Sequence, residues 1–306
     1  MLKYTIKRVL LLIPTILGIT LFIYLIMSLV PGDPVEMLSP LEATYEQKEA
    51  LRADLGLDKP ILVQYLNYMW NILHGDFGVS WFTRQPVITE IGNRLPYTLT
   101  LGVLSTLLAS LISIPLGTLT AVKHNSLPDY AITFICLLLA AMPGFWLGLL
   151  LQIYLSLQAG WFPAYGVGTM KHYVLPIIAV CAASVATNIR STRTWVLDVI
   201  RSDYVRTARA KGAHEINVIM KHALRNALLP IVTGFGTAFA QVLGNSVVIE
   251  TVFAIPGIST YLTSAVKTRD MPIIMGCILV ISVFVGVVNL LVDLTYSVID
   301  PRVKYE

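Results

Sequence analysis

The stretch DYVRTARAKGAHEINVIMKHALRNALLP, residues Asp203 to Pro230, is charged and helix-like, yet long apolar runs flank it on both sides. It holds five lysines and arginines, two acids and two histidines. Uncharged apolar runs of this kind are typical of membrane helices, because ~20 residues at 1.5 Å rise cross the ~30 Å hydrocarbon layer. A basic segment between two such runs therefore indicates a loop at a membrane surface, with one membrane span before it and one after it.

The composition supports a membrane protein. Of 306 residues, 56% are hydrophobic and only 13% are charged, whereas about 25% are charged in a typical soluble domain. We predict an all-α membrane protein with six transmembrane helices. The predicted spans are Val9–Val30, Leu95–Val122, the first part of Tyr130–Met170, Tyr173–Ile189, Asn226–Ile249 and Met271–Val292.

The fourth predicted span is the weakest, with only 17 uncharged residues. We count it as a span because Arg190 and Arg193 can snorkel from its end to the lipid headgroups. Prolines and glycines occur in several spans, among them Gly117, Pro143 and Gly234. Such residues are typical of close helix packing or of helices that bend when a pathway opens.

Lysine and arginine bias gives the orientation, since positive loops stay in the cytoplasm. With the N-terminus inside, the cytoplasmic segments hold fourteen of the 22 lysines and arginines, and six spans return the basic C-terminus to the same side. The N-terminus resembles a secretory signal, but its apolar run of 22 residues exceeds the ~7–15 of a signal core. A retained first span is therefore favoured over a cleaved signal.

Two loops are longer than a turn requires, and we predict one transmembrane domain over residues 1–306 that contains both. Residues 31–94 form a long extracytoplasmic loop, in which TYEQKEALRADLGL predicts a helix capped by Thr44. Residues 190–225 form the long cytoplasmic loop.

Motifs for catalysis or cofactor binding are absent from the sequence. No GxxxxGK[ST] phosphate loop occurs, HExxH is missing, and the five histidines have no metal-ligand spacing. The tripeptide Asp76–Gly78 reads DFG, but the other kinase motifs are lacking. We therefore predict no enzyme activity, no catalytic residues and no metal site. Two acids near span ends, Glu250 and Asp293, are candidate sites, although contact with interfacial water is the favoured explanation of both.

The opening segment itself predicts two short helices around Gly212. Asp203 starts the first helix at its positive end, and Gly212 can take the left-handed conformation that ends it. The second helix begins near Glu215, with Ile216, Ile219 and Met220 on one face. Such a basic amphipathic unit can lie on anionic lipid, can simply fix the orientation, or can bind a protein partner.

The segment resembles the cytoplasmic coupling loop of permease subunits of ATP-binding-cassette (ABC) importers. The general pattern is Glu-Ala-Ala, three residues and Gly; here Arg206-Thr207-Ala208 precede Gly212, so two of three positions depart from it. They match the peptide/nickel branch instead, in which DYVRTARAKG is followed by HALRNA. Further stretches resemble the same branch, namely PGDP (31–34), LGLDKPILVQY (55–65), GDFGVS (75–80), ETVFAIPGIS (250–259) and NLLVDLTYSVIDPRVK (289–304). The branch usually has Trp where Ile255 stands.

The resemblance implies a type I ABC importer permease fold in a bacterial cytoplasmic membrane, with both termini cytoplasmic. It implies a second homologous permease, giving a heterodimer, two ATPase subunits and an extracytoplasmic solute-binding protein. This chain would bind no cofactor, because ATP and Mg²⁺ belong to the ATPases, and its surroundings are lipid rather than nucleic acid. Peptides are the favoured substrate, with a nickel or other metal chelate or glutathione as alternatives. The alternative of another class is an ATP-independent secondary transporter.

The resemblance also assigns candidate residues. The ATPase-coupling loop would use Asp203, Arg206, Thr207, Ala208, Arg209, Lys211, Gly212, His222, Arg225 and Asn226. A possible outer gate or pathway comprises Glu250, Pro256 and Gly257.

Overall fold

The structure is a computed structural model that describes the backbone of residues 2–299 and the side chains of residues 5–295, except Leu229 and Asn245. The predicted all-α architecture is confirmed: within residues 2–299 the strand content is one isolated antiparallel bridge between Val79 and Pro86. The basic C-terminal residues Arg302 and Lys304, with the end of the stretch that begins at Asn289, lie outside the described residues.

The helices follow one another along the chain. They are α1 (Leu2–Leu29), α2 (Pro34–Leu38), α3 (Tyr45–Asp54), α4 (Ile61–Leu73), α5 (Val87–Val122), α6 (Leu127–Ala141), α7 (Gly144–Leu151), a π-helical segment (Gln152–Gln158), α8 (Lys171–Ile200), α9 (Asp203–Ala210), α10 (Glu215–Asn217), a second π-helical segment (Val218–Leu224), α11 (Arg225–Val252), α12 (Ile258–Thr268) and α13 (Met271–Ile299).

Among residues 2–299, four helices are long and apolar enough to cross a membrane: α1, α5, α8 and α13. Two bent helix pairs bring the number to six if each pair is one span. One pair is α6 with the helix from Gly144 to Gln158, bent by 96°, and the other joins Glu215–Leu228 to Pro230–Gly244 at 49°. The four helices coincide with four predicted spans, and the two bent pairs overlap the third and fifth.

Two spans are longer than the uncharged runs that predicted them. Helix α5 begins at Val87 rather than Leu95, because Glu90 and Arg94 pair at 2.8 Å one helical turn apart and the helix continues through them. Helix α8 continues from the apolar run to Ile200, so the first part of the predicted cytoplasmic loop is helix.

The chain separates into two compact units, and α5 and α13 contribute residues to both. Among the described residues, the first unit contains residues 97–256 and 287–299. Its central helix α8 packs against α6, α7 and α11. The prediction of a single permease domain remains a prediction.

Glycines allow close helix packing in the first unit, as their distribution predicted. A Cβ atom on Gly117 of α5 would lie 2.6 Å from the Cβ of Thr192 and 2.8 Å from the carbonyl oxygen of Ile189. A Cβ atom on Gly234 of α11 would lie 2.9 Å from the indole of Trp195. Small residues at these positions therefore let α5 and α11 approach α8.

The second unit contains residues 2–96 and 257–286. Thr44 caps α3 with a reciprocal capping box to Gln47, as the sequence predicted. Helices α1 and α4 are joined by a hydrogen bond from the Tyr24 hydroxyl to Gln64 Oε1 at 2.8 Å. Arg269, in the left-handed backbone conformation, donates to the carbonyls of Pro31 and Gly32. The segment PGDP is thus bound within this unit.

Candidate functional site

We use the name coupling loop for residues 203–226, which span the ten candidate coupling residues and overlap the predicted cytoplasmic loop 190–225. Its first helix begins where the sequence predicted. Helix α9 begins at Asp203 after Ser202, which has extended backbone angles. Thr207 donates its hydroxyl to the carbonyl of Asp203 at 2.9 Å, and Arg206 lies 3.5 Å from the Asp203 carboxylate. Asp203 and Arg206 are almost fully exposed, so their pairing is weak and both remain available to a partner.

Gly212 ends helix α9 in the left-handed conformation, with φ of +78°. Its N–H donates to the carbonyl of Arg209 at 2.9 Å, and the N–H of Ala213 donates to the carbonyl of Ala208 at 3.3 Å. These two bonds form a Schellman motif, in which the residue after the helix must adopt positive φ. The sequence-based prediction of a glycine turn is confirmed.

An ion pair closes the turn on its exposed side. Arg209 donates from Nε to Glu215 Oε2 at 3.1 Å and from Nη2 to Oε1 at 2.7 Å. The hydrogen bond to Glu215 raises the pKa of the Arg209 guanidinium above its already high ordinary value, so this group stays charged. The pair holds the end of α9 against the start of the second helix, which begins at Glu215 as predicted.

The second helix has an apolar face that is divided between interior and solvent. Val218 and Ala223 are fully buried, and the segment Val218–Leu224 packs against α8, α9 and α11. Ile216 and Met220 are instead 62% and 52% exposed. The predicted apolar strip is therefore partly buried in the fold and partly open on the loop surface.

The candidate coupling residues form one exposed surface. Of the ten, only Ala208 is half-buried, and the others are exposed. Asn226 donates from its amide to the backbone carbonyl of His222 at 2.7 Å, one helical turn earlier. The His222 side chain contributes exposed surface, as do Lys211 and Arg225.

The candidate outer-gate residues are arranged differently from expectation. We expected Glu250 to contact interfacial water, but it is completely buried. Thr98 donates its hydroxyl to Glu250 Oε1 at 2.7 Å, and Ser246 donates to the same oxygen at 3.2 Å. The solvation hypothesis is wrong because hydroxyl donors inside the fold replace water at this carboxylate. Asp293, by contrast, is partly exposed.

The segment after Glu250 is a buried turn. The N–H of Ile255 donates to the carbonyl of Glu250 at 2.8 Å, and the N–H of Gly166 donates to the carbonyl of Phe253, also at 2.8 Å. Phe253 and Ile255 are nearly fully buried in one apolar cluster. Pro256 is exposed at the end of the first unit, whereas Gly257 is buried and belongs to the second unit. The three candidate residues therefore lie in unlike surroundings.

Sequence reasoning missed a buried ion pair in the first unit. Arg193 of α8 donates from Nε and Nη2 to the two carboxylate oxygens of Asp129, both at 2.8 Å. His124 Nδ1 lies 2.9 Å from Arg193 Nη2, and the N–H of Asn125 donates to Asp129 at 3.0 Å. Arg193 thus binds a buried carboxylate, which is a correction to the expectation that it snorkels to lipid headgroups. The available signal was an acid immediately before the third apolar run.

Among residues 2–299, no group of three or more His, Cys, Asp or Glu side chains lies close enough together to hold a metal ion. Cys136, Cys181 and Cys277 are buried and unbridged, so they act as small packing groups.

Comparison with known proteins gives matches over the whole chain. The family described as binding-protein-dependent transport system inner membrane component matches residues 113–305, and its N-terminal membrane-component family matches residues 1–102. The oligopeptide transport system permease protein AppB of Bacillus subtilis is 41% identical over 316 residues, covering 100% of both chains. The glutathione transport system permease proteins GsiC of Pectobacterium atrosepticum and Escherichia coli are 41% and 40% identical over 306 residues, again with 100% coverage.

Proposed function

Because this chain belongs to the family of binding-protein-dependent transport system inner membrane components, we propose that it forms half of the pathway by which an ATP-driven importer brings short peptides into a bacterial cell. It is a permease of an ABC importer, a multi-pass inner membrane protein and a non-catalytic subunit. Beyond this family assignment, the proposal specifies the substrate, the partners and the role of the coupling loop.

The exposed coupling loop carries the proposal. It is a preformed helix–turn–helix unit, closed by the Gly212 turn and the Arg209–Glu215 pair, and continuous with α8 on one side and α11 on the other. A partner that moves this unit therefore moves two membrane helices. We assign the partner as one of two ATPase subunits. These subunits, rather than this chain, would bind ATP and Mg²⁺.

The remaining partners and the orientation follow from the same assignment. A second, homologous permease would complete the pathway as a heterodimer, and a solute-binding protein would deliver substrate from outside. The basic termini and the coupling loop would face the cytoplasm, in line with the positive-inside rule. Residues 31–94 would face outward, where helices α2, α3 and α4 offer a folded surface.

Short peptides are the proposed substrate class. The full-length relatives are named for oligopeptide and for glutathione transport, and glutathione is itself a modified tripeptide. Amide groups and terminal charges are common to both substrates. Glutathione is the second candidate, since its permeases match this chain as extensively as the oligopeptide permease does.

The test exchanges Gly212 for proline in the complex purified from its native membrane. Proline fixes φ near −65° and has no N–H, so Gly212→Pro removes both the left-handed turn and the bond to Arg209. We expect this variant to insert normally, to lose the co-purifying ATPases and to lose ATP-dependent peptide uptake in proteoliposomes.

Gly75→Pro is the matched control. Gly75 has φ of +82°, donates to the carbonyl of Ile72 at 2.9 Å and ends α4 with the same Schellman bonds, in the second unit. The control should keep the ATPases bound. Retention of ATPases and of uptake by Gly212→Pro would contradict the coupling role, and uptake by the chain alone without ATP would contradict the importer itself.

A further inference from the structure

A cavity of about 390 Å³ opens in the first unit between α7, α8 and α11. Its volume lies within the ~300–1,000 Å³ typical of small-molecule sites. No charged side chain lines it. Its polar lining consists of hydroxyl and amide groups from Ser184, Thr187, Asn188, Gln241 and Ser246.

The cavity continues into two stripes of exposed residues. On α11 the exposed positions are spaced three or four residues apart and so follow one face of the helix: Thr237, Gln241, Gly244, Val248 and Thr251. On α8 the exposed positions beside the cavity are Ala183 and Thr187. Both stripes consist of small or neutral polar residues apart from Val248.

Other exposed helix faces of the same unit have a different composition. Leu107 and Leu111 of α5 are 59% and 74% exposed, and Phe134 and Leu137 of α6 are 62% and 53% exposed. Large apolar side chains of this kind suit contact with lipid tails. Polar groups that face hydrocarbon are costly, so the Gln241 stripe is not expected to be a lipid-facing surface.

The hydrogen-bonding groups of the cavity complement a peptide backbone. Thr187 donates its hydroxyl proton to the carbonyl of Ala183 at 3.1 Å, so its oxygen presents lone pairs that can accept from an N–H. Asn188 Nδ2 is a buried donor for which the described part of the structure shows no acceptor, and a substrate carbonyl would supply one. An acceptor and a donor on successive residues of α8 match the alternation of N–H and C=O groups in a peptide.

We propose that the groove between α8 and α11 is this chain's wall of the translocation pathway, and that it binds the main-chain amides of short peptides through neutral groups at Thr187, Asn188 and Gln241. The inference rests on the proposed function and deepens it. Without charged residues, the groove passes peptides with acidic, basic or neutral side chains alike, so selection among them is left to other components.

Thiol labelling of the intact complex in proteoliposomes tests the inference. The variants Thr187→Cys and Ala183→Cys are each treated with a positively charged methanethiosulfonate reagent. The treatment takes place during ATP-driven uptake of trialanine and, separately, of glutathione. Leu111→Cys is the lipid-facing control. Because only the thiolate reacts and it forms in water, we expect labelling at the groove to be roughly tenfold faster or more than at Leu111.

Three results distinguish the alternatives. Labelling at the groove that slows when transported peptide is present supports the pathway assignment. An unlabelled groove in a complex that still imports peptide overturns it, and shows instead that the face is permanently covered by the second permease or by lipid. Failure of the unmodified complex to import either probe with ATP overturns the proposed function itself.

Discussion

At the scale of single residues, the contacts of the charged groups that border the apolar runs are the least predictable feature. Arg193 and Asp129 are 64 residues apart in sequence and meet in a bidentate pair. Glu250 accepts a hydrogen bond from Thr98, which lies 152 residues earlier in the chain. Helical periodicity describes neighbours three and four residues apart, so it contains no signal for either contact. The local residues of the coupling loop, by contrast, were predicted well, because a Schellman turn involves only residues 208–213.

The Asp129–Arg193 pair provides a prediction at this scale. Asp129 is 2% exposed, so Arg193→Ala would leave a buried carboxylate without its ion-pair partner. Removing one partner of a buried pair costs about 3 kcal/mol or more. We therefore expect a clearly lower Tm for Arg193→Ala in detergent, measured by thermal unfolding of the purified chain.

Arg190→Ala is the control for this effect, because Arg190 is exposed and lies one helical turn away on α8. It should unfold near the parental Tm. The double variant Asp129→Ala/Arg193→Ala should lose less stability than the sum of the two single variants, which is the signature of a direct pair. Additive losses would show that the two residues stabilise the fold independently.

At the scale of elements, the existence of each long helix was predictable, whereas the ends were less so. The uncharged run began at Leu95, but α5 begins at Val87 because the Glu90–Arg94 pair neutralises two charges on the helix surface. The break after α6 could be anticipated at Pro143, since the residue before a proline avoids the helical region. Met142 has φ of −84° and ψ of 124°, outside the helix. The π-helical segments had no predictive signal in the sequence.

Helix packing against α8 gives the prediction at this scale. Gly117→Ala would place a methyl group within 2.6 Å of the Cβ of Thr192 and 2.8 Å of a backbone oxygen. The backbone oxygen cannot rotate away as a flexible side chain would, so α5 must shift. Overpacking of this kind costs about 1–3 kcal/mol, and we expect a lower Tm in the same unfolding measurement.

Gly92→Ala is the matched control for Gly117→Ala, because both glycines lie on α5. A Cβ atom on Gly92 would meet nothing within 4 Å, and alanine favours helix over glycine by about 1 kcal/mol. This variant should unfold at the parental temperature or above it. Equal Tm values for the two variants would mean that α5 is not held against α8 at Gly117.

At the scale of the whole molecule, the exposed surfaces separate by chemistry. Large aliphatic and aromatic side chains cover the exposed faces of α1, α5 and α6. The coupling loop is basic and carries isolated apolar groups, while the groove between α8 and α11 is neutral and polar. One chain therefore presents a face suited to lipid, a face suited to a protein and a face suited to an amide-rich solute. The uncharged runs predicted membrane helices, and the basic amphipathic pattern predicted part of the second face, but the third depends on how two distant helices pack.

The exposed apolar pair on the coupling loop distinguishes a protein partner from a lipid surface. Ile216 and Met220 lie one turn apart and are mostly exposed beside the basic residues. If they fit an apolar cleft of an ATPase, Ile216→Glu/Met220→Glu would bury two unpaired carboxylates there, at a cost large enough to abolish stable association. We expect the purified complex to lose its ATPase subunits while the permease pair remains intact and its Tm in detergent is unchanged.

The control for this variant is Met37→Glu on α2, whose side chain is 48% exposed on the segment assigned to the opposite side of the membrane. It should leave ATPase association as it is in the parent complex. A coupling loop that serves only to attach to anionic lipid makes a different prediction: the double variant would then retain both ATPases and its coupled ATP hydrolysis. Subunit stoichiometry measured by native mass spectrometry, together with peptide-stimulated ATP hydrolysis, decides between the two, because only direct docking links both quantities to these two side chains.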